Sequence, residues 1–139
     1  MSAEGGNLAL IINTASYDRV AFALSLANTA AAMGKEVAVL FGYGGLVRLK
    51  RGAVDEVGDE TEAWIRGQIK LGLQKGSITR ISELLETLTK LRGKIYACPS
   101  AMALHNLVRD ELIDQVNQVC GLAEFLSRST ESAATTLYV

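Results

Sequence analysis

The chain has 139 residues, 49% of them hydrophobic and 21% charged, and its 14 Lys and Arg nearly balance its 15 Asp and Glu. This length predicts a single domain spanning residues 1–139 with enough apolar material for a core, and the net charge of -1 excludes a general attraction to nucleic acids or anionic membranes. The longest uncharged stretch, Val20 to Gly34, is too short and too polar to span a membrane.

The amino terminus and the cysteines both favour a cytoplasmic location. Met1 to Asn7 lacks the basic residue that opens a signal peptide. Two cysteines, Cys98 and Cys120, are too few for a disulfide scaffold, and no C-x-x-C motif pairs them. Since His105 is the only histidine, the sequence predicts no metal site, and it contains no motif for a bound cofactor.

The beginning of the chain predicts a strand, a helix and a second strand. Leu8 to Ile12 and Val37 to Phe41 are short apolar runs, typical of strands that are covered on both faces. Tyr17 to Met33 is predicted to be a helix that ends at a left-handed Gly34. Its candidate N-cap residues are Thr14, Ser16 and Asp18. This order is a βαβ unit, and it predicts a parallel sheet.

A glycine-rich turn follows the second predicted strand. Gly42, Tyr43, Gly44 and Gly45 could form a tight turn or cradle a phosphate, and the absence of G-x-G-x-x-G and Walker motifs favours the turn. A short amphipathic stretch, Leu46 to Lys50, comes next. The neighbouring basic side chains are expected on a solvated face, and secondarily in a patch that binds an anion or a partner: Arg48, Lys50 and Arg51.

Residues 52–76 have a looser pattern, with acidic residues, several glycines and the only tryptophan, Trp64. We expect a variable insertion here, with one short helix from Ala63 to Leu73. Long irregular segments in compact domains are commonly functional or mobile. The segment could therefore cover a site, form a subunit contact or be merely flexible.

The second half of the chain predicts further helices and strands. Apolar residues from Ile78 to Leu91 recur three and four positions apart, as in a helix packed on a sheet. Ile95 to Ala97 is a third strand, followed by a helix that runs as far as Leu112. A helix after Gly121 and a strand from Ala134 to Val139 complete an α/β fold, which we expect to be a three-layer sandwich around a mainly parallel sheet of about five strands.

Cys98 is the main candidate for chemistry because of its position. It follows a predicted parallel strand, at the edge where open α/β sheets bind their ligands, and it precedes Pro99, a favoured first residue of a helix. A helix start stabilises a thiolate, and cysteines at such positions have pKa values of roughly 3.5 to 7.5. We expect a nucleophilic sulfur, and the alternative is a small buried residue at a strand end.

The other two potentially reactive residues, Cys120 and His105, are less favourably placed for chemistry. Cys120 could be a resolving thiol, but nothing in the sequence brings it near Cys98, so a buried structural role is expected. His105 lies two helical turns beyond Cys98, about 10 Å along a helix axis. That distance is too long for direct activation, and a surface or subunit-contact role is expected for His105.

The segment from Lys94 to Leu126 resembles the cysteine-containing half of DsrE/DsrF-like proteins, a family of small sulfur-relay and peroxiredoxin-like proteins. The βαβ unit and the closing residues Thr136 to Val139 fit the same family, and residues 52–76 are the part that does not. The matching features in the segment are Cys98 at a strand end, Met102 four residues later, the run from Asp110 to Asp114, and Gly121 leading into Phe125 and Leu126.

The resemblance implies a function and an assembly. Family members carry sulfur as a persulfide on a cysteine that matches Cys98, so the chain is expected to be a sulfur carrier or sulfurtransferase. It would form a homotrimer or hexamer and meet sulfur donor or acceptor proteins. The expected binding residues are Gly42, Tyr43, Gly44 and Gly45, which would form the wall opposite Cys98, together with Pro99, Ser100 and Met102.

Two other functions remain open on the sequence. One is a non-catalytic oligomeric module that binds a small ligand or a protein. The other is a thiol redox protein, which requires Cys98 to pair with Cys120 or with its own copy in another subunit.

Overall fold

The computed structural model describes residues 6–130 and 135–139. Within these residues, five strands form one sheet in the order β4-β3-β2-β1-β5, and every neighbouring pair is parallel. The expected α/β class and parallel sheet are therefore confirmed. The strands are β1 (Leu8–Ile12), β2 (Val37–Phe41), β3 (Lys94–Ala97), β4 (Gln118–Val119) and β5 (Thr135–Tyr138).

Helices cover both faces of the sheet. They are α1 (Tyr17–Ala32), α2 (Ala63–Lys75), α3 (Ile81–Lys90), α4 (Pro99–Leu104) and α5 (Leu122–Thr130), with 3-10 helices at Tyr43–Leu49 and Arg109–Glu111. No helix in the described part of the chain is long and apolar enough to cross a membrane.

Alternation along the strands separates two cores. Leu8, Leu10 and Ile12 of β1 face the larger core, which contains the buried residues of α1 and α3. The intervening residues Ala9 and Ile11 face a smaller core beneath α5. Successive strand residues point to opposite faces, so this period of two produces the three expected layers.

The helix after Cys98 is shorter than predicted. It ends at Leu104 instead of continuing to Leu112, because Asn106 adopts the left-handed conformation with φ 55°. The N–H of Leu107 then donates to the Met102 carbonyl at 2.9 Å, a bond typical of a helix end. Asparagine tolerates this backbone conformation better than most residues.

The helix predicted from Ile78 begins three residues later, at Ile81. Side chains from elsewhere in the chain accept its first N–H groups: the Tyr17 hydroxyl bonds the N–H of Ile81 at 3.0 Å, and the Asp55 carboxylate bonds that of Ser82 at 2.9 Å. Long-range partners therefore contribute to where the α3 helix begins.

The edge strands contain one addition to the prediction. β4 has two residues, too few to show a periodicity. Asn117, the residue before it, holds it beside β3. The N–H of Asn117 donates to the Ile95 carbonyl and its side-chain oxygen accepts the N–H of Ile95, each at 2.7 Å. At the opposite edge, β5 begins at Thr135, whereas Ala134, the predicted start, lies outside the described residues.

Arg48 is buried, so the expected solvated position is wrong for this residue. Its side chain is 1% exposed and donates to the carbonyls of Ala15 at 2.9 Å and Glu56 at 2.5 Å. The guanidinium also bonds the Glu60 carboxylate at 2.9 Å and lies over the Tyr17 ring, 5.0 Å from its centroid. Arg48 thereby joins its own 3-10 helix to the start of α1 and to the segment after the 3-10 helix, which contains Glu56 and Glu60.

Arg48→Met is expected to lower the free energy of unfolding by about 3 kcal/mol, because several polar groups around a buried charge lose their donor. Urea denaturation measures this change. Arg51→Met is the matched control, since Arg51 pairs with Asp114 on the exposed surface and its loss should have a much smaller effect. Equal effects of the two substitutions would contradict the bridging role of Arg48.

Candidate functional site

The candidate site lies at the carboxyl edge of the sheet, and it is built around the residues that directly follow the five strands. These residues are Asn13, Gly42, Cys98, Cys120 and Val139. The sheet's ladder continues one residue past the strands, with bonds of 2.9 to 3.0 Å from Asn13 to Val139, Gly42 to Ile12, Cys98 to Phe41 and Cys120 to Ala97. Because all strands run parallel, the ladder gathers these residues at one edge.

A cavity of about 250 Å³ opens at this edge, on the face of the sheet that α5 covers. Ile11 and Leu40 contribute strand side chains to its lining, and Cys98 contributes its strand-end thiol. These three residues have the same alternation along their strands, which directs them to one face. Cys98 is half-buried and not in a disulfide, so its sulfur lies between the core and the cavity.

Four of the predicted site residues line the cavity together: Gly42, Tyr43, Cys98 and Ser100. The other four do not line it. Met102 is buried in the larger core, and Pro99 is exposed as the first residue of α4. Gly44 and Gly45 turn towards the backbone of β1 and the residues after it.

The sequence analysis did not identify the remaining lining residues, Ile11, Asn13, Leu40, Leu122 and Tyr138. Asn13 and Tyr138 join across the cavity wall, the amide Nδ2 donating to the Tyr138 hydroxyl at 2.7 Å. The sequence contained a signal for these two residues, because Asn13 follows the first strand and Tyr138 is the last residue of the final strand. Parallel strand ends converge at one edge, so these polar groups could have been grouped with Cys98.

His105 contacts the glycine turn. As the residue directly after α4, it brings its Nε2 to 2.7 Å from the carbonyl oxygen of Tyr43. Tyr43 has a positive φ of 35°, a conformation unusual for a residue with a side chain. His105 therefore holds the turn against the end of α4 from within the same chain.

The structure brings the two cysteines together, which the sequence did not indicate. β3 and β4 pair with Ala97 opposite Val119, and Cys98 and Cys120 are the next residues of the two strands. Cys120 is 1% exposed, in agreement with its expected burial. Burial and the nearby Glu124 carboxylate raise the pKa of Cys120.

Metal ligands do not cluster in the part of the chain that the structure describes. Across residues 6–130 and 135–139, no three His, Cys, Asp or Glu side chains are grouped so as to hold a metal ion. The chemistry available at this edge is that of a thiol, an amide and a phenol beside an apolar wall.

Comparisons with known proteins agree on the family and on the fold. The sequence profile of the DsrE/DsrF-like family matches residues 7–134. A protein of unknown function from Methanobacterium thermoautotrophicum is 14% identical with a TM-score of 0.61, and the match covers 96% of this chain and 99% of that one. The ychN protein of E. coli is 17% identical with a TM-score of 0.62, covering 96% and 97%. No curated protein sequence matches the chain.

The last two glycines of the turn, Gly44 and Gly45, provide a matched pair of substitutions. A Cβ at Gly45 would lie 2.4 Å from the Ile12 carbonyl oxygen, whereas a Cβ at Gly44 would have its nearest neighbours at 3.5 Å. We expect Gly45→Ala to destabilise the protein by about 1–3 kcal/mol through overpacking and Gly44→Ala to be tolerated. Thermal unfolding of both variants tests this, and equal midpoints would be inconsistent with a close turn at Gly45.

Proposed function

The chain belongs to the DsrE/DsrF-like family, and on that premise we propose that it is a cytoplasmic sulfur carrier or sulfurtransferase that holds sulfur as a persulfide on Cys98. The observation that carries the proposal is the position of this thiol. Cys98 is half-buried and lines the cavity at the carboxyl edge of the sheet. A donor can reach a sulfur in this position, while the protein still shields part of it.

The transfer needs no oxidant or reductant. The Cys98 thiolate attacks the outer sulfur of a donor persulfide, and a new sulfur–sulfur bond forms on Cys98. The bond between the donor's two sulfurs breaks, and the donor thiol leaves with the electron pair and takes up a proton. An acceptor thiolate removes the carried sulfur from Cys98 in the same way.

The size and lining of the cavity fit a small cargo. Its volume of about 250 Å³ is below the range of roughly 300–1,000 Å³ that is usual for small-molecule sites. Ile11, Leu40 and Leu122 line it with apolar groups, which would keep water from a bound persulfide. These features favour a sulfur atom delivered by another protein over a larger organic ligand.

We also propose that the protein is a homo-oligomer, a trimer or hexamer, that receives and delivers sulfur through partner proteins. The mouth of the cavity supports this proposal. Tyr43, Leu122 and Tyr138 line the cavity and are 57%, 55% and 68% exposed. Apolar and aromatic side chains grouped in this way are typical of surfaces that another protein covers.

Leu122→Lys is expected to reduce the number of chains per particle, because it places a charge in the apolar surface at the cavity. Size-exclusion chromatography with light scattering measures the particle mass. Phe22→Lys is the control, since Phe22 is 78% exposed on α1, away from the cavity lining. A monomeric wild-type protein at micromolar concentration would refute the assembly. Dissociation by Phe22→Lys alone would show that the interface lies on α1 and not at the cavity.

The Cys98 assignment predicts sulfur loading at a single residue. After a short incubation with a persulfide donor and immediate alkylation, which traps the carried sulfur, mass spectrometry should find one added sulfur atom on Cys98 in the wild-type protein and in Cys120→Ser. Cys98→Ser should acquire none, since Cys120 is buried and its pKa is raised. Equal loading of Cys98→Ser would show that Cys98 is not the carrier, and absence of loading in Cys120→Ser would favour a binding module.

A further inference from the structure

Cys98 and Cys120 occupy neighbouring positions on adjacent strands. They follow the paired residues Ala97 and Val119, and the N–H of Cys120 extends the ladder to the Ala97 carbonyl at 2.9 Å. Adjacent strands lie about 4.8 Å apart. This spacing falls within the Cα separation of roughly 4.4–6.8 Å that a disulfide bridges.

The two side chains also share one face of the sheet. Cys120 belongs to the small core beneath α5, together with Tyr96 and Phe125, and Cys98 packs against the same core. The neighbouring Cys98 also contributes to the raised pKa of Cys120, after burial and Glu124. Both thiols therefore lie in one apolar cluster, Cys98 towards the cavity and Cys120 towards the core.

We propose that Cys120 is the resolving thiol of Cys98, which discharges a bound persulfide as hydrogen sulfide and leaves an intrachain Cys98–Cys120 disulfide. The proposal rests on the proposed function, since the step begins with sulfur loaded on Cys98. It adds a second outcome for that sulfur. The sulfur is either passed on to an acceptor thiol or released as sulfide.

The step is balanced within the chain. The Cys120 sulfur, after giving its proton to the Glu124 carboxylate, attacks Sγ of Cys98. The bond between Cys98 Sγ and the carried sulfur breaks, and the carried sulfur leaves with the electron pair and takes up the proton. The carried sulfur is reduced and the two cysteines are oxidised, so no external oxidant is needed. A dithiol reductant then restores both thiols by exchange.

Burial makes this discharge slower than delivery. The Cys120 thiol is 1% exposed, and its raised pKa keeps it protonated at neutral pH. An acceptor thiolate that reaches the cavity meets the loaded sulfur directly. Discharge is therefore the outcome when no acceptor arrives.

The full-length protein, loaded with inorganic polysulfide and freed of excess reagent by gel filtration, tests the step. The wild-type chain should release one sulfide for each disulfide formed and end two hydrogen atoms lighter than its reduced form. Cys120→Ser and Cys120→Ala should keep the added sulfur and release sulfide at least about tenfold more slowly, because no second thiol lies beside Cys98. Circular dichroism of both variants verifies that they are folded.

The outcomes separate this step from the proposed function. If Cys120→Ser loads sulfur and the wild-type protein retains it equally long, the resolving role is wrong and the carrier function stands. If Cys120→Ser loads no sulfur, both proposals are wrong. Treatment with diamide tests the pairing without persulfide. It should yield a Cys98–Cys120 cross-linked peptide without dimers on non-reducing electrophoresis, and absence of that peptide would overturn the pairing.

Discussion

The hydrogen-bond ladder of the parallel sheet determines where the strand-end residues of the candidate site lie. It continues past the last residues of the strands, so that Gly42 and Cys98 are held by the same kind of bond as the strand interiors. A parallel sheet has all its carboxyl ends at one edge, and residues far apart in the chain meet there. The alternation of side chains then selects the face, directing Ile11 and Leu40 to the cavity.

Two buried or half-buried side chains, Arg48 and His105, hold the segment that begins with the cavity-lining residues Gly42 and Tyr43. Arg48 bonds carbonyls and a carboxylate on both sides of the 3-10 helix, and its guanidinium has enough donors for all of them. His105 holds the carbonyl of Tyr43 at the start of that helix. The glycine-rich turn before Arg48 approaches the β1 backbone at Gly45, where a side chain would not fit. The segment after β2 is thus held by hydrogen bonds at both of its ends.

The two thiols differ in environment although they are neighbours in the sheet. Cys98 lies at the cavity and is half-buried, while Cys120 lies under α5 beside Glu124, with a raised pKa. Their different exposure supports the different roles proposed for these two thiols, since thiol exchange depends on access and on the thiolate fraction. In the proposed function, Cys98 holds the sulfur and the shielded Cys120 discharges it.

The sequence by itself determined the layout of the fold, because apolar runs and helical periodicity are local. Leu8–Ile12 and Val37–Phe41 were predicted with the bounds that the structure has, and Cys98 was placed correctly at a strand end. Only the tertiary structure decided features that depend on distant partners. The burial of Arg48 requires acceptors from two segments outside its own helix, the start of α3 uses the Tyr17 hydroxyl, and β4 is a strand only because β3 lies beside it. Cys120 meets Cys98 for that last reason, since strand pairing has no local signal in a segment of two residues.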